Sequence, residues 1–377
     1  MRCYIDALIC FCTFVCPINQ LLYFHGILLR CSVVVLQSNK IMSVPSLDSR
    51  KMVFKKGFTD DGNDTTISLL QYNILADAAI PRGDSGTNVC GTYAFCPEMH
   101  RYMDSRFEKI IKEVESLNPD IVTLQEIEQV FFENTLQPGM NELGYASVQH
   151  LRPGDHIGLA IFYKNEKFSF LSHCQFLIHE KLPSVLQEAG LESSVALDIG
   201  EYVKRHSEYP GIIGPAGDLM VRLKVKATGT VIAVANVHVT WKEHKYPFLQ
   251  IFQMSCVLEE LFKFAEGALC ILAGDFNATP DMPLYHMISS GKVCEVTDHL
   301  VQSNSYHRDR DVNFGGKRAV EILKMIDFKL KVKSSYFEVM GREPVYTNWG
   351  DMEMDAEGDE VHKLCLDYIA MKMVMKK

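Results

Sequence analysis

Apolar residues along this chain fall into short runs that alternate with helical stripes. Ile67–Tyr72 is a mostly apolar run, and a loop rich in Gly, Asp and Pro follows it. Ser105 with Glu108 makes a capping-box pattern, and Phe107, Ile110, Ile111, Val114 and Leu117 recur behind it at helical spacing. Asn118-Pro119 ends that helix, and Ile121–Gln125 reads as a buried strand. Gly158–Tyr163, Leu219–Val225 and Val231–Val239 read as further strands. Pro247 opens a second amphipathic helix that ends before Gly267. Ala268–Ala273 is another buried strand, and Leu284–Ser290 a short helix stopped by Gly291. Between them, Leu182–Gly217 is polar and broken by Gly and Pro, which predicts a long surface insertion.

The first 40 residues follow a different pattern. Ala7–Ile18 is apolar but interrupted by Pro17, and Leu21–Phe24 and Ile27–Leu29 are shorter still. None reaches the roughly 20 residues of a membrane span, so no transmembrane anchor is expected. Arg2 before the first run gives it a signal-like look, while Asp6 weakens a mitochondrial reading. Ser43–Arg50, after Met42, resembles an ordinary soluble N-terminus. Residues 1–51 are therefore read as an extension outside the domain, and residues 52–377 as the domain itself.

Alternating strands and helices suit several α/β folds, so the polar residues at the strand ends must decide. Gln71-Tyr72-Asn73, Leu124-Gln125-Glu126, Asn236-Val237-His238, Gly274-Asp275-Phe276-Asn277 and Leu366-Asp367-Tyr368-Ile369 each follow or close an apolar run. Taken singly, an Asn there is a turn former and a His a satisfied histidine. Together they supply the oxygen ligands a hard cation prefers, with amides and an imidazole for a phosphate.

The charge narrows the substrate. With 377 residues, 23% charged and a net −9, the chain offers no broad basic face for duplex DNA. Five of its 12 cysteines lie in the first 31 residues, and Cys90 and Cys96 form the only close pair. No second pair completes a zinc site, so a reducing, cytoplasmic compartment is expected.

Tyr72-Asn73-Ile74-Leu75-Ala76-Asp77, Leu124-Gln125-Glu126, Ala160-Ile161-Phe162-Tyr163, Gly274-Asp275-Phe276-Asn277 and Leu366-Asp367-Tyr368-Ile369 stand in a telling order. In that order they resemble the endonuclease/exonuclease/phosphatase superfamily. The opening motif is most similar to the subgroup of yeast-type deadenylases, nocturnin, the angel proteins and 2′,5′-phosphodiesterase. The resemblance implies a four-layered α/β sandwich, with two mixed sheets face to face and helices outside. It implies Glu126 as the principal Mg²⁺ ligand (Mn²⁺ is an alternative), with Asn73 beside it. Asp275 would orient and deprotonate the attacking water, Asn277 would help hold that aspartate and the phosphate, and His238 would contact phosphoryl oxygens. Val237 stands where the family has Thr. Asp367 would fix the tautomer of a final histidine in a Ser-Asp-His motif. The chain ends at Lys377, eight residues after Ile369, so the domain is expected to lack that motif and its last strand. Thr297-Asp298-His299-Leu300 imitates the motif but precedes Asp367, and is read as an ordinary loop.

The implied function is Mg²⁺-dependent hydrolysis of phosphoesters in RNA or nucleotides, first of all as a 3′ exoribonuclease. Two alternatives stay open: a nucleotide or RNA-end phosphatase, and a catalytically impaired product with a binding role. A single-stranded RNA 3′ end or an adenine nucleotide is the expected substrate, and a monomer the expected state. No leucine-rich repeat precedes the domain, which weakens assembly into a large deadenylase complex.

Overall fold

The computed structural model of this chain describes residues 67–80, 100–151, 157–207, 217–241, 246–293, 312–326, 330–345, 347–350 and 362–373, with the backbone of three short strands nearer the N-terminus. Those three are β1 (Cys10–Thr13), β2 (Ser32–Val35) and β3 (Lys51–Phe54). The apolar run at Ile67 becomes β4 (Ser68–Asn73), and β5 (Ile121–Glu128), β6 (Tyr145–Leu151) and β7 (Ile157–Lys164) complete a mixed sheet. Its strand order is β3-β2-β1-β4-β5-β7-β6, with β4 and β5 parallel.

A second mixed sheet starts from β8 (Phe168–Leu177), β9 (Gly217–Val225), β10 (Val231–His238) and β11 (Leu269–Asp275). Hairpin strands β12 (Asn313–Phe314) and β13 (Lys317–Arg318) follow, and then β14 (Lys333–Ser334) joins the sheet. A second hairpin, β15 (Asn348–Gly350) with β16 (His362–Leu364), precedes β17 (Asp367–Met373). The order is β14-β17-β11-β10-β9-β8, and the parallel pair here is β10 with β11.

Period-2 alternation sends residues from each sheet to a shared interior. Leu69, Ile121, Leu159 and Ile161 from the first sheet pack with Val221, Leu223, Val234, Ile271 and Ile369 from the second. The first sheet's outer face is covered by α1 (Met103–Leu117) through Ile110 and Val114. The second sheet's outer face carries α2 (Ile178–Glu188), α3 (Ser193–Ser207), α4 (Pro247–Ala265) and α5 (Pro283–Ser290). The result is the four-layered α/β sandwich the sequence reading expected. Among the described residues, no helix is long and apolar enough to cross a membrane.

The structure corrects two readings. Leu182–Ser207 is not a surface insertion: Leu182, Leu186, Ala196, Ile199 and Val203 are buried against α4 and the second sheet. Pro183 and Gly200 suit a loop by type, yet they lie at the contact between two helices. A Cβ on Gly200 would stand 2.9 Å from both His179 O and Pro183 Cγ, so the bare glycine lets α2 and α3 approach. Second, α1 begins at Met103, so Ser105 is not its cap but lies inside the first turn, donating to Tyr102 O at 2.9 Å. Asn118, in the left-handed region at φ 48°, ends the helix as expected.

In the N-terminal segment, β1 pairs antiparallel with β4 through Cys10↔Gln71 to Thr13↔Ser68. The first sheet thus continues into that segment. The pair Cys90 and Cys96, and the motif Thr297-Asp298-His299-Leu300, lie outside the described residues.

Candidate active site

Two parallel strand pairs, one in each sheet, end at the same place. Parallel pairing sends both carboxyl ends of β4 and β5 one way, and those of β10 and β11 likewise. The first pair delivers Asn73 and Glu126, and the second delivers His238 and Asp275, which face each other in register. β17 runs antiparallel to β11, and its first residue, Asp367, pairs with Asp275.

Local backbone irregularities then aim the side chains. The register of β5 against β7 slips between Gln125 and Ile127, and Glu126 sits in that bulge at φ 58°. The bulge turns the carboxylate out of the strand's alternation toward Asn73. Asn73 Nδ2 donates to Glu126 Oε1 at 2.9 Å and to Asp275 Oδ2 at 3.0 Å. Its own Oδ1 accepts Leu75 N at 3.0 Å, which fixes the amide's orientation. The other oxygen of Glu126 accepts Ala76 N at 3.0 Å. Gly274 precedes Asp275 at φ 148°, where a Cβ would lie 2.1 Å from Val237 O. That close approach of β11 to β10 is open to glycine alone.

Asp275 Oδ1 accepts the backbone N–H of Asn277 at 2.8 Å, leaving Oδ2 for the site. Asn277 itself is left-handed at φ 47°, its side-chain amide spent on Val239 O at 2.9 Å. His238 Nε2 lies 3.9 Å from both Glu126 Oε1 and Asp275 Oδ2. Both oxygens of Asp367 are held as well. Gln71 Nε2 donates to its Oδ1 at 3.0 Å, and Thr347 Oγ1 donates to its Oδ2 at 2.8 Å.

Behind the site runs a buried chain of amides. Gln71 Nε2 also donates to Gln125 Oε1, and Gln125 Nε2 to Asn236 Oδ1, each at 2.6 Å. Asn236 Nδ2 closes on Leu124 O and Ala160 O at 2.8 and 2.9 Å. All three side chains are wholly buried, and the chain ties β4 and β5 to β10 across the sandwich. Gln71, Gln125 and Asn236 stood within the sequence motifs without a role, and Thr347 lay outside every motif. Their signal was weak, because a Gln or Thr inside an apolar strand carries no spacing rule.

Burial raises the carboxyl group of Asp275 above the ordinary carboxylate range, and the charge of Asp367 adds to it. His238, Asn73 and the Asn277 N–H pull the other way. Asp367 is raised as well, by burial first, against the lowering effect of Thr347 and Gln71. Among the described residues the same imidazole, His238, stands within 4 Å of both Glu126 and Asp275. The centre is therefore rich in carboxyl and amide oxygens, with burial disfavouring the charged form of Asp275 and Asp367 while no cation is bound. A hard divalent cation fits that donor set. No three His, Cys, Asp or Glu side chains form a cage among the described residues, so Glu126 and Asn73 would hold it with water and substrate oxygens.

A two-sheet sandwich with this constellation across its strand ends defines a class, and the chain belongs to the Endonuclease/Exonuclease/phosphatase family, matched over residues 70–350. The chain is 30% identical to 2′,5′-phosphodiesterase 12 of Bos taurus over 81% of its length, covering 45% of that protein. It is 24% identical to the CCR4-Not complex 3′-5′-exoribonuclease subunit Ccr4 of Yarrowia lipolytica, over 66% of this chain and 37% of that one. The chain thus spans less than half the length of these curated relatives. In fold it is similar to the crystal structure of ANGEL2, a 2′,3′-cyclic phosphatase, in complex with adenosine-2′,3′-vanadate. That match has a TM-score of 0.55 at 18% identity, covering 80% of this chain and 83% of that one.

Proposed function

We infer that this chain hydrolyses phosphoester bonds of RNA or nucleotides, first of all as a Mg²⁺-dependent 3′ exoribonuclease. One observation carries the reading: Asn73 bridges Glu126 and Asp275, so two sheets contribute to one hydrolytic centre. Asp275 is held by the Asn277 N–H through Oδ1 and by Asn73 Nδ2 through Oδ2, and the second lone pair of Oδ2 is left to take a proton from an attacking water. The water oxygen then bonds to phosphorus as the P–O3′ bond breaks, and the leaving 3′ oxygen takes a proton from solvent, giving a shortened strand with a 3′-hydroxyl and a mononucleotide. His238 presents Nε2 between the two carboxylates, where it would donate to a phosphoryl oxygen. Asn73 holds Glu126 and Asp275 at fixed separation, so little reorganisation accompanies the step. A divalent cation at Glu126 would supply Lewis acidity toward the phosphoryl oxygens. The relatives named as a phosphodiesterase and an exoribonuclease support this chemistry.

The fold neighbour named as a cyclic phosphatase favours a second reading, hydrolysis of a terminal or cyclic phosphate. The two differ in product. Purified chain with Mg²⁺ is offered oligoadenylate, RNA with a 2′,3′-cyclic phosphate end, NADP and duplex DNA. Release of mononucleotide from oligoadenylate is expected, with EDTA abolishing it. Release of inorganic phosphate would favour the phosphatase. Binding without turnover would leave the impaired-product reading, and preferential cleavage of the duplex would overturn the assignment. We place the protein in the cytoplasm as a monomer; the free thiols of Cys174, Cys256, Cys270 and Cys365 support a reducing compartment.

A further inference from the structure

The last turn of α3 is Lys204-Arg205-His206-Ser207, and a hydrogen-bonded path joins it to the site. Gln253 Nε2 donates to Ser207 Oγ at 2.8 Å and to Thr240 Oγ1 at 2.7 Å, while Gln253 Oε1 accepts Thr240 N. Gln250 Nε2 then joins Thr240 O to Asn277 O, at 2.8 and 2.9 Å. Thr240 stands two residues after His238. The end of α3 is therefore fixed to the same strand end that carries the imidazole.

Aromatic rings collect there. The His206 ring packs 4.9 Å from Tyr246 and 4.7 Å from Tyr202. Tyr202 is buried, but His206 and Tyr246 are half-buried, and Trp241 is 41% exposed three residues after His238. Lys204 and the exposed Arg205 add two positive charges to a chain whose formal net charge is −9. Hydrolysis of a bare phosphoester uses none of these groups. Aromatic rings beside cations, tied to the strand end that carries His238, are the composition of a single-strand nucleic-acid track.

We propose that the end of α3, with Tyr246 and Trp241, is a subsite for a single-stranded oligonucleotide, holding the nucleotide next to the scissile phosphate. The rings take its base, and Lys204 and Arg205 take the adjoining phosphate. This rests on the hydrolytic reading above and extends it to chain substrates over free nucleotides.

The test compares oligoadenylate with bis(4-nitrophenyl) phosphate, which has no base and no chain, for wild type, His206→Ala, Tyr246→Ala and Arg205→Glu. A fluorescein-labelled phosphorothioate oligoadenylate gives Kd by anisotropy in parallel. Each lost ring is expected to lower the oligoadenylate-to-chromogen ratio of kcat/KM roughly tenfold or more, through KM, and to raise Kd alike. His206→Phe, which keeps a ring, is expected to recover most of the loss. Arg205→Glu is expected to flatten the salt dependence of Kd, since one phosphate contact goes. Unchanged ratios and Kd in folded variants would overturn the subsite. Should wild type hydrolyse neither substrate, the hydrolytic reading fails, and anisotropy still decides: no oligoadenylate binding overturns the subsite, weaker binding by the variants upholds it. Arg205→Glu, at an exposed position, carries the test if a half-buried ring variant fails to fold.

Discussion

The side-chain amide of Asn73 and the carboxylate of Asp275 meet at 3.0 Å although 202 residues separate them. They belong to different sheets, so this hydrogen bond reports the alignment of the whole sandwich at its active end. The same Nδ2 reaches Glu126, which makes Asn73 the joint between the carboxylate proposed to hold a cation and the one proposed to activate water. Asn73→Ala is expected to cut kcat by roughly 10²-fold or more, on the scale of losing one preorganised donor. The melting temperature is expected to change little, because Asn73 lies at the sheet's rim rather than in its core. Steady-state kinetics beside calorimetry check this; a variant that kept full turnover would sink the bridging role.

Gly274→Ala tests the backbone under the site. The added methyl would meet Val237 O at 2.1 Å, and the φ of 148° is strained for any side chain. Backbone atoms cannot swing away as a flexible side chain does. A loss of roughly 3 kcal/mol or more is expected, with activity falling because Asp275 is the next residue. Urea denaturation measures it, and a midpoint equal to wild type would show that β11 moves away from β10 freely.

The strand ends were legible in the sequence because each apolar run stops at a polar group, and parallel pairing then brings those stops together. Asn73, Glu126, His238, Asp275, Asn277 and Asp367 all arrive at one end of the sheets for that reason. The helices α2 and α3 were hidden although Leu182, Leu186, Ile199 and Val203 stand at helical spacing, because Pro183 and Gly200 read as loop formers. In the fold those two residues are the helix–helix contact. The amide chain Gln71–Gln125–Asn236 was hidden for another reason. A polar residue inside a strand looks like a break in alternation until the opposing sheet supplies its partner.

That chain gives a third prediction. Gln71→Leu would leave Gln125 Oε1 without the donor it has now, and Asp367 Oδ1 likewise, both in a wholly buried setting. Leaving a buried polar group unpaired costs roughly 1–3 kcal/mol, so a loss in that range or above is expected. Gln71→Leu with Gln125→Leu would remove both partners of the first bond, yet strand Asn236 Oδ1 instead. The double variant is expected to be no more stable than the single one, as thermal melts would show.

The N-terminal segment calls for a truncation. β1 adds four residue pairs to the edge of β4, and among the residues whose side chains are described the buried interior between the sheets draws on Ile67 and residues after it. A chain that begins at Met42 is expected to keep its melting midpoint close to full length. It is also expected to aggregate more readily, since β4 then presents a bare edge. A large fall in the midpoint would show that β1 and β2 hold the first sheet together.

The last prediction concerns pH. In the absence of a divalent cation, burial and the neighbouring Asp367 raise the Asp275 carboxyl in the folded protein, whereas the unfolded chain returns it to the ordinary range near 4. Above that range the folded state holds a proton that the unfolded state has released. Stability therefore falls as pH rises from the ordinary carboxylate range toward neutrality, the slope following the difference in bound protons. Asp367 is raised in the same direction and adds to the slope. Denaturation midpoints in EDTA, taken from pH 4.5 upward, are expected to decline with pH, and Asp275→Asn is expected to flatten that decline. Added Mg²⁺ is expected to raise the midpoint most at the alkaline end, where the carboxylates are charged and unneutralised. A midpoint that climbed toward neutrality in EDTA, for wild type and Asp275→Asn alike, would show that these carboxyls are ionised throughout and that the charge at the strand ends is balanced by other groups.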